Sequence, residues 1–256
     1  MSSFLLVGPP GSGKTTAAAT LAKLGPVGLI DFDYKAHKME NLNSVIRSTS
    51  NPKGNLIHIP INYPLSTIGL KALSTTKLDQ GGKQESTQPK GYLKFVEIMD
   101  KLEQDKYKWD GEQLFGLILD SYTSMQEHLK RLLLSANSKM TMTLALYGPM
   151  LTNLEEVNNI FIRLPIHTII LAHEKLEKDE LSGRILIKPL VEGQMDNKIA
   201  KDFEEVYFMQ KTVTGFGPTT SARYEMLTIG DNLRSARTSR KLEALIVPDF
   251  SKILKA

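Results

Sequence analysis

The residues with the clearest chemical meaning lie at the amino end of the chain. The stretch Gly8-Pro9-Pro10-Gly11-Ser12-Gly13-Lys14-Thr15 fits the phosphate-binding pattern G-x-x-x-x-G-K-[ST]. Glycines allow the backbone N–H groups of such a loop to turn inward around phosphate oxygens. The Lys14 ammonium can reach the β- and γ-phosphates, and the Thr15 hydroxyl can coordinate Mg²⁺. The segment from Gly8 to Thr16 is therefore predicted to bind ATP together with Mg²⁺.

The segments around this loop are those that the pattern requires. The apolar run Phe4-Leu5-Leu6-Val7 predicts a strand that leads into the loop, and the Ala- and Leu-rich stretch from Thr15 to Leu24 predicts a helix after it. Gly25-Pro26 is expected to end that helix, with Gly25 in a left-handed conformation. Val27-Gly28-Leu29-Ile30 then predicts a second buried strand, which ends at Asp31-Phe32-Asp33.

Further apolar runs predict more strands of the same sheet. Residues 115–119 and 168–172 are short apolar segments that end at Asp120 and His173, and apolar residues between 151 and 164 recur at helical spacing. Polar and apolar residues alternate in 184–188, 205–209 and 222–227, which favours half-exposed antiparallel or edge strands. The predicted fold class is α/β, with a mostly parallel central sheet flanked by helices and antiparallel strands toward the C-terminus.

Asp120 is the predicted acidic partner of Thr15 in a magnesium site. A carboxylate at the end of a buried strand needs a partner to offset its desolvation, and the end of a parallel strand lies at the same sheet edge as the phosphate loop. The alternative is that Asp120-Ser121 caps the helix that follows. Both roles are compatible.

Two further strand ends offer groups that could act on a terminal phosphate. Ser121 stands where many P-loop ATPases have a glutamate base, which counts against the AAA+ type. Asp33, at the end of the second strand, is then the candidate that orients water. Strand alternation places Asp31 and Asp33 on one face, and capping of the strand end is the alternative role for both. His173 could contact the γ-phosphate and report its presence, or it could be an ordinary hydrogen-bonded histidine.

Composition sets the limits on other functions. The chain has 256 residues, 41% hydrophobic and 23% charged, and is interpreted as one domain over residues 1–256 with a mobile polar loop at 79–91. The absence of cysteine excludes disulfides and thiol chemistry, and the five histidines lack zinc-ligand spacing. The net charge of +4 permits a polyanionic partner. Without a basic signal region or an apolar run of about 18 residues, a cytoplasmic protein with no membrane partner is expected.

With the strand ends in view, the chain resembles the core of RecA-type ATPases. The likeness rests on the P-loop and on the segments Ile30-Asp31-Phe32-Asp33-Tyr34, Leu117-Ile118-Leu119-Asp120-Ser121 and Ile170-Leu171-Ala172-His173-Glu174. The resemblance implies that Asp33 is the catalytic carboxylate, although the family more often has Glu there, and that His173 is the γ-phosphate sensor. It also implies that the loop from Glu174 to Gly183 contacts DNA.

The same resemblance extends to the C-terminal half. The stretch from Asp196 to Phe203 is similar to the segment from which recombinases send a lysine into the ATP site of the neighbouring subunit, which makes Lys198 the candidate. Over nearly its whole length the chain is similar to the small phage RecA-like proteins of the Sak-four single-strand annealing group. That likeness implies a DNA recombination ATPase that binds single-stranded DNA, forms a ring or filament of identical subunits, and acts in the host cytoplasm. A single-strand-binding protein is a candidate partner.

Basic residues supply candidates for DNA contacts and for a trans-acting finger. The first cluster contains Lys175, Lys178, Arg184 and Lys188, and the second contains Arg234, Arg237, Arg240 and Lys241. Arg234 and Arg237 join Lys198 as residues that could complete the ATP site of another subunit. The alternative for both clusters is a solvated basic face, and for the arginines a surface turn or one face of a helix.

Four functions remain open from the sequence. The leading interpretation is an ATP- and Mg²⁺-dependent ATPase that assembles on single-stranded DNA and promotes annealing or strand exchange. The second is an oligomeric scaffold gated by nucleotide, with little hydrolysis, and a helicase-loader-like role shares the same core. A small-molecule kinase ranks last, because the polar stretch at 79–91 lacks the arginine that a kinase lid uses to exclude water.

Overall fold

A computed structural model describes residues 1–48, 51–63, 89–139, 141–178, 180, 183–215 and 220–255. Strands are numbered in chain order within these ranges: β1 Ser3–Val7, β2 Val27–Asp31, β3 Leu56–Pro60, β4 Lys108–Trp109, β5 Glu112–Gln113, β6 Gly116–Asp120, β7 His167–Ala172, β8 Glu174–Lys178, β9 Ile185–Pro189, β10 Glu205–Thr214, β11 Ser221–Leu227 and β12 Leu245–Ile246. The α-helices are α1 Lys14–Ala19, α2 Gly91–Gln104, α3 Tyr122–Ala136, α4 Leu144–Arg163, α5 Met195–Asp202 and α6 Phe250–Ile253.

The central sheet has the order β12-β11-β10-β1-β7-β6-β2-β3 within the described residues. The six strands from β10 to β3 run parallel, whereas β10–β11 and β11–β12 are antiparallel pairs. The α/β class, the parallel centre and the antiparallel C-terminal strands are thus confirmed. One strand, β7, separates the strand before the P-loop from the strand that ends at Asp120.

Helices cover both faces of this sheet, because the central strands are apolar on both sides. In β1, Leu5 and Val7 pack into the core formed with α2, α3, α4 and α5, whereas Phe4 and Leu6 pack into the core formed with α1 and α6. Strands β1, β2, β6 and β7 consist almost entirely of buried residues, as expected for a parallel sheet between two helical layers. Within the described ranges, no helix has the length and apolar character needed to cross a membrane.

The first helix matches its prediction, but the role of Gly25 was predicted wrongly. α1 continues as a 3₁₀ turn over Thr20–Lys23, and Gly25 does not have the positive φ of a left-handed cap. Instead, a Cβ at Gly25 would lie 2.8 Å from the Cβ of Phe115. Glycine is required at position 25 because Phe115, just before β6, packs directly against its backbone. The conformational freedom of glycine is not used here.

Two other boundaries differ from the sequence prediction. α4 starts at Leu144, seven residues before the predicted start, although it ends before Pro165 as expected. Most of the predicted mobile loop at 79–91 lies outside the described residues. Its last residue, Gly91, begins α2, where a Cβ would lie 2.1 Å from Nδ1 of His128.

Among the predicted C-terminal strands, β9 and β11 are partly exposed antiparallel strands as expected, whereas β10 is more buried than its alternating pattern predicted. Residues 205–209 of β10 are fully buried and lie parallel to β1, so this half of β10 is a central strand. Residues 210–214, the outer half of β10, pair with β11 but not with β1 and are mostly exposed. Residues 174–178, predicted as a DNA-contacting loop with the residues that follow, form strand β8, which pairs with β9 in a separate hairpin.

His128 gives a testable consequence of this packing. It is 3% exposed, its Nδ1 has no hydrogen-bond partner among the described residues, and burial lowers the pKa of its imidazole from 6.5. The unfolded chain therefore binds a proton at a higher pH than the folded protein, so the free energy of unfolding falls as the pH drops below about 6.5. Urea unfolding at pH 7.5 and 5.5 should show a smaller decrease for His128→Leu than for wild type. An equal decrease in both proteins would contradict this account.

Candidate nucleotide-binding site

The P-loop joins β1 to α1 and contains two glycines in left-handed conformations. Gly11 and Gly13 have φ angles of +72° and +86°, where L side chains are strained. Gly13 is also the residue that precedes the first helical residue, Lys14. The sequence thus has glycine at both positions where the loop backbone is left-handed: Gly13 is the second fixed glycine of the motif, and Gly11 occupies one of its variable positions.

Lys14 lies across the loop. Its Nζ donates hydrogen bonds to the carbonyl oxygens of Gly8, at 2.8 Å, and Pro9, at 2.9 Å. Lys14 is 6% exposed, and burial lowers the pKa of its ammonium although the charges of Asp120, Glu174 and Asp33 oppose this. Neutral carbonyls compensate a buried ammonium less well than an anion does. A phosphate in the loop would therefore offer Lys14 a stronger partner than its own backbone.

Thr15 and Asp120 meet at the edge of the sheet. The Thr15 hydroxyl donates to Asp120 Oδ2 at 2.6 Å, although 105 residues separate them. The pKa of the Asp120 carboxyl is raised to about 7, mainly by burial and also by the charges of Asp33 and Asp31. The hydrogen bond from Thr15 and the charge of Lys14 act in the opposite direction and lower it. A hydroxyl and a carboxylate are hard oxygen donors, so the pair fits Mg²⁺. The alternative role predicted for Asp120-Ser121 was to cap the following helix. Ser121 fills this role, because its hydroxyl accepts a hydrogen bond from the N–H of Ser124 at the start of α3.

Substitution of Asp120 tests how much its buried charge destabilises the folded protein. Because its folded pKa is raised, the folded protein binds more protons than the unfolded chain between about pH 4 and 7, and its stability falls as the pH rises through this range. Asp120→Asn keeps an acceptor for Thr15 and removes the buried charge. Without nucleotide, its free energy of unfolding should exceed that of wild type by about 1–2 kcal/mol at pH 8, and by less at pH 5.5. A stability loss at pH 8 would contradict the electrostatic argument.

Asp33 lies just beyond β2 and faces the same cluster. Its Oδ1 accepts a short hydrogen bond from the Ser124 hydroxyl, and its Oδ2 lies 3.8 Å from Nε2 of His173 and 3.9 Å from Nζ of Lys35. Burial opposes ionisation, but His173, Ser124 and Lys35 outweigh it and lower the pKa of the Asp33 carboxyl to about 2. Asp33 is thus a firmly ionised carboxylate that can orient a water molecule but accepts a proton weakly.

His173 connects the two charged groups. Its Nδ1 lies 3.5 Å from Lys14 Nζ, and its Nε2 lies on the side of Asp33. Its backbone is fixed because its N–H donates to the Thr123 hydroxyl at 3.1 Å and its carbonyl accepts from Leu190 N–H at 2.7 Å. The structure therefore brings together Lys14, Thr15, Asp33, Asp120 and His173, as predicted from the strand ends. The function of each residue stays a prediction.

Sequence reasoning missed the residues that hold Asp31 and Asp33. Asp31 is 1% exposed, and its Oδ2 accepts from the N–H groups of Lys35 and Ala36 and lies 2.9 Å from Nε2 of His58. Asp31 thus shapes the turn after β2, in agreement with the capping alternative. Ser124 could have been found as the third residue after the cap Ser121, whereas the position of His58 has no local signal.

The three candidates for a trans-acting cation contact other residues of their own chain. Lys198 Nζ lies 2.5 Å from Glu155 Oε1, and Arg234 Nη1 lies 3.0 Å from Asp231 Oδ2. Arg237 donates from Nε to the Phe203 carbonyl at 2.9 Å and thereby caps the end of α5. A role in a neighbouring subunit would require these side chains to exchange their present partners.

The basic clusters are also more internally paired than expected for a free DNA-binding face. Lys175 Nζ lies 2.9 Å from Oδ2 of the buried Asp196, and Lys188 Nζ lies 2.7 Å from Glu177 Oε1. The arginine-rich segment 234–240 is not a helix, which corrects one of its two predicted conformations. Arg240 donates to the Ile253 carbonyl and to the Ser2 hydroxyl, so it ties together the two ends of the chain.

Comparisons with known proteins complete the description of the site. A model of the AAA domain family AAA_24 matches residues 2–240, and no curated protein matches the chain. Among solved structures, the flagellar accessory protein FlaH from Methanocaldococcus jannaschii is similar at 12% identity with a TM-score of 0.48, covering 95% of this chain and 83% of that one. A KaiC-like protein from Pyrococcus horikoshii OT3 is similar at 13% identity with a TM-score of 0.42, covering 94% and 83%.

The family match spans nearly the whole chain, including the P-loop and the strands that carry Asp33, Asp120 and His173. It overturns the expectation that Ser121 counts against an AAA-type chain. It supports the coarser part of the resemblance, a P-loop ATPase domain, and the sheet described above has the expected α/β architecture. The chain belongs to the AAA_24 family of AAA domains.

Proposed function

We propose that this protein is an ATP- and Mg²⁺-dependent ATPase that works on single-stranded DNA as an oligomer. The observation that carries the ATPase part is the convergence of Lys14, the Thr15–Asp120 pair, Asp33 and His173 at one sheet edge. A phosphate loop alone would serve binding. The half-buried Asp33 carboxylate and the His173 imidazole beside the Lys14 ammonium supply groups for positioning water and for sensing the terminal phosphate.

Each residue has a distinct task in this proposal. Lys14 leaves its carbonyl partners and binds the β- and γ-phosphate oxygens, while Thr15 and Asp120 hold the metal ion. Mg²⁺, when bound, neutralises charge that develops on the phosphates. Asp33 orients the attacking water, and His173, between Asp33 and Lys14, responds to the γ-phosphate and passes its presence to hairpin β8–β9, which begins at the next residue.

Single-stranded DNA is the proposed polymer, with annealing or strand exchange in phage recombination as the process. The resemblance to the Sak-four group motivates this step, and hairpin β8–β9 supports it. Lys178 and Arg184 lie exposed at the far end of this hairpin, whereas Lys175 and Lys188 are held near its base by Asp196 and Glu177. A ring or filament is proposed because Lys198, Arg234 and Arg237 lie outside the Lys14 cluster, so another copy would supply the missing cation.

One observation favours a second candidate, the scaffold gated by nucleotide. The low pKa of the Asp33 carboxyl makes it a weak proton acceptor, and its Ser124 hydrogen bond occupies one oxygen. An ATPase with such a carboxylate could bind ATP, assemble and hydrolyse slowly. In this case the occupancy of the site, rather than its turnover, would control assembly.

The two candidates differ in phosphate release. ATP hydrolysis is measured at fixed salt with and without single-stranded DNA, in wild type and Lys14→Met, alongside the mass of the assembly by light scattering. Hydrolysis that DNA stimulates and Lys14→Met abolishes supports the recombination ATPase. Assembly that requires ATP with negligible phosphate release supports the scaffold. If ATP neither binds nor changes the assembly, both proposals fail.

A further inference from the structure

A cavity of about 330 Å³ lies directly beside the P-loop. Gly13 and Thr16 contribute to its wall from the predicted ATP-binding segment, and Met39, Asn41, Tyr224 and Pro248 contribute from three other parts of the chain. Its volume is in the range of small-molecule sites, and most of its lining is apolar with few polar groups. The cavity thus borders the P-loop and differs chemically from the polar cluster around Lys14.

Tyr224 gives the cavity an aromatic wall. It lies on β11, and a Cβ built on Gly13 would be 3.3 Å from Cδ1 of the Tyr224 ring, so the ring touches the P-loop itself. The Lys211 ammonium lies 5.6 Å from the centroid of the same ring, which restrains it. Tyr224 is nevertheless 40% exposed. An exposed aromatic ring beside a phosphate site is a surface on which a flat base can stack.

Asn41 gives the cavity a directional polar group. Its Nδ2 donates to the Thr16 hydroxyl at 2.6 Å. Its Oδ1 accepts no hydrogen bond within the described part of the chain, so an acceptor remains available at the cavity wall. Adenine presents an exocyclic amine, a donor, where guanine presents a carbonyl oxygen, an acceptor. With its Oδ1 toward the cavity, Asn41 matches the adenine amine better than the guanine carbonyl.

We propose that this cavity is the base subsite of the nucleotide, in which Tyr224 stacks on the adenine ring and Asn41 accepts a hydrogen bond from its amine. The inference rests on the proposed function, because the phosphates of the same nucleotide occupy the P-loop. Thr16 links the two parts of the site, since it follows the magnesium-binding Thr15 and holds Asn41. Base recognition thus depends on β11 and on residues 39–41, far from the P-loop in sequence.

The first test compares ligands with and without a base. Dissociation constants for ATP and for inorganic tripolyphosphate are measured in the presence of Mg²⁺ for wild type, Tyr224→Ala and Tyr224→Phe. Tyr224→Ala should weaken ATP binding by about tenfold or more and leave tripolyphosphate binding unchanged, because only ATP loses the stacking contact. Tyr224→Phe keeps the ring and should bind ATP like wild type.

The second test concerns selectivity. Wild type should bind ATP more tightly than GTP, and Asn41→Leu should reduce this preference by about tenfold. Asn43→Leu, which removes a nearby exposed amide that lies outside the cavity, should keep the preference of wild type.

The remaining outcomes separate this inference from the proposed function. If Tyr224→Ala weakens ATP and tripolyphosphate equally, the ring supports the loop rather than a base, and the inference is wrong. It is also wrong if wild type binds ATP no better than tripolyphosphate, or if Tyr224→Ala changes neither. If Lys14→Met binds both ligands like wild type, or if wild type binds neither, the proposed ATP site itself is refuted.

Discussion

Asp33→Asn is expected to lower the kcat for ATP hydrolysis by about two to three orders of magnitude, while the affinity for ATP stays within about threefold of wild type. The asparagine keeps an oxygen that can accept the Ser124 hydrogen bond, so the turn after β2 is preserved. It loses the negative charge beside His173 that would orient the attacking water. Steady-state phosphate release gives kcat, and titration with ATP under non-hydrolysing conditions gives the affinity.

Asp105→Asn is a matched control, since Asp105 is exposed at the end of α2 and far from the P-loop in sequence. It should leave both quantities unchanged. A kcat for Asp33→Asn equal to that of wild type would refute the assignment of Asp33 and favour the scaffold. A large loss of ATP affinity with unchanged kcat would show that Asp33 acts on the shape of the site rather than on water.

Lys14→Met is expected to weaken ATP binding by about a hundredfold and to abolish measurable hydrolysis. Methionine retains a long apolar stem in the buried position but lacks the ammonium that binds phosphate oxygens. A charge-assisted hydrogen bond contributes about 1.5–3 kcal/mol, and each 1.4 kcal/mol corresponds to a tenfold change in affinity. Isothermal titration with ATP and Mg²⁺ measures the loss.

The same experiment needs a check on folding, because Lys14 also ties the loop to the Gly8 and Pro9 carbonyls. Lys139→Met, at an exposed position after α3, is the matched control and should bind ATP like wild type. Circular dichroism and thermal unfolding of Lys14→Met should show a folded protein. If a folded Lys14→Met binds ATP with unchanged affinity, the P-loop is not the phosphate site.

Residue types and spacing were sufficient to predict the local parts of the site. The P-loop, the strands before and after it, and the strand ends at Asp33, Asp120 and His173 all follow from short patterns. These patterns are informative because a strand buried on both faces must be almost entirely apolar, so the first polar residue after it marks the end of the strand. Parallel strands then bring such residues to one edge without any further information.

The strand order and the pairing of distant polar groups were decided only by the tertiary structure. β10 was predicted as half exposed because Glu205 and Tyr207 alternate with apolar residues. Both are buried, since Tyr207 donates to Glu205 at 2.6 Å and Ser239 donates to the same carboxylate at 2.5 Å. A polar residue looks exposed in sequence unless its distant hydrogen-bond partner is known.

The same reason explains the remaining differences. From the sequence, Arg237 was a candidate for the cation that completes the ATP site of another subunit. In the structure it donates to the carbonyl groups of residues more than 30 positions earlier, which no local pattern indicates. The position of Tyr224 beside Gly13 had no signal in the sequence, because the pairing of β10 with β11 brings it there. The sequence by itself determined which segments form the phosphate loop and the buried strands. Which distant side chains surround the nucleotide was decided by packing, because contacts between segments far apart in the chain leave no local pattern.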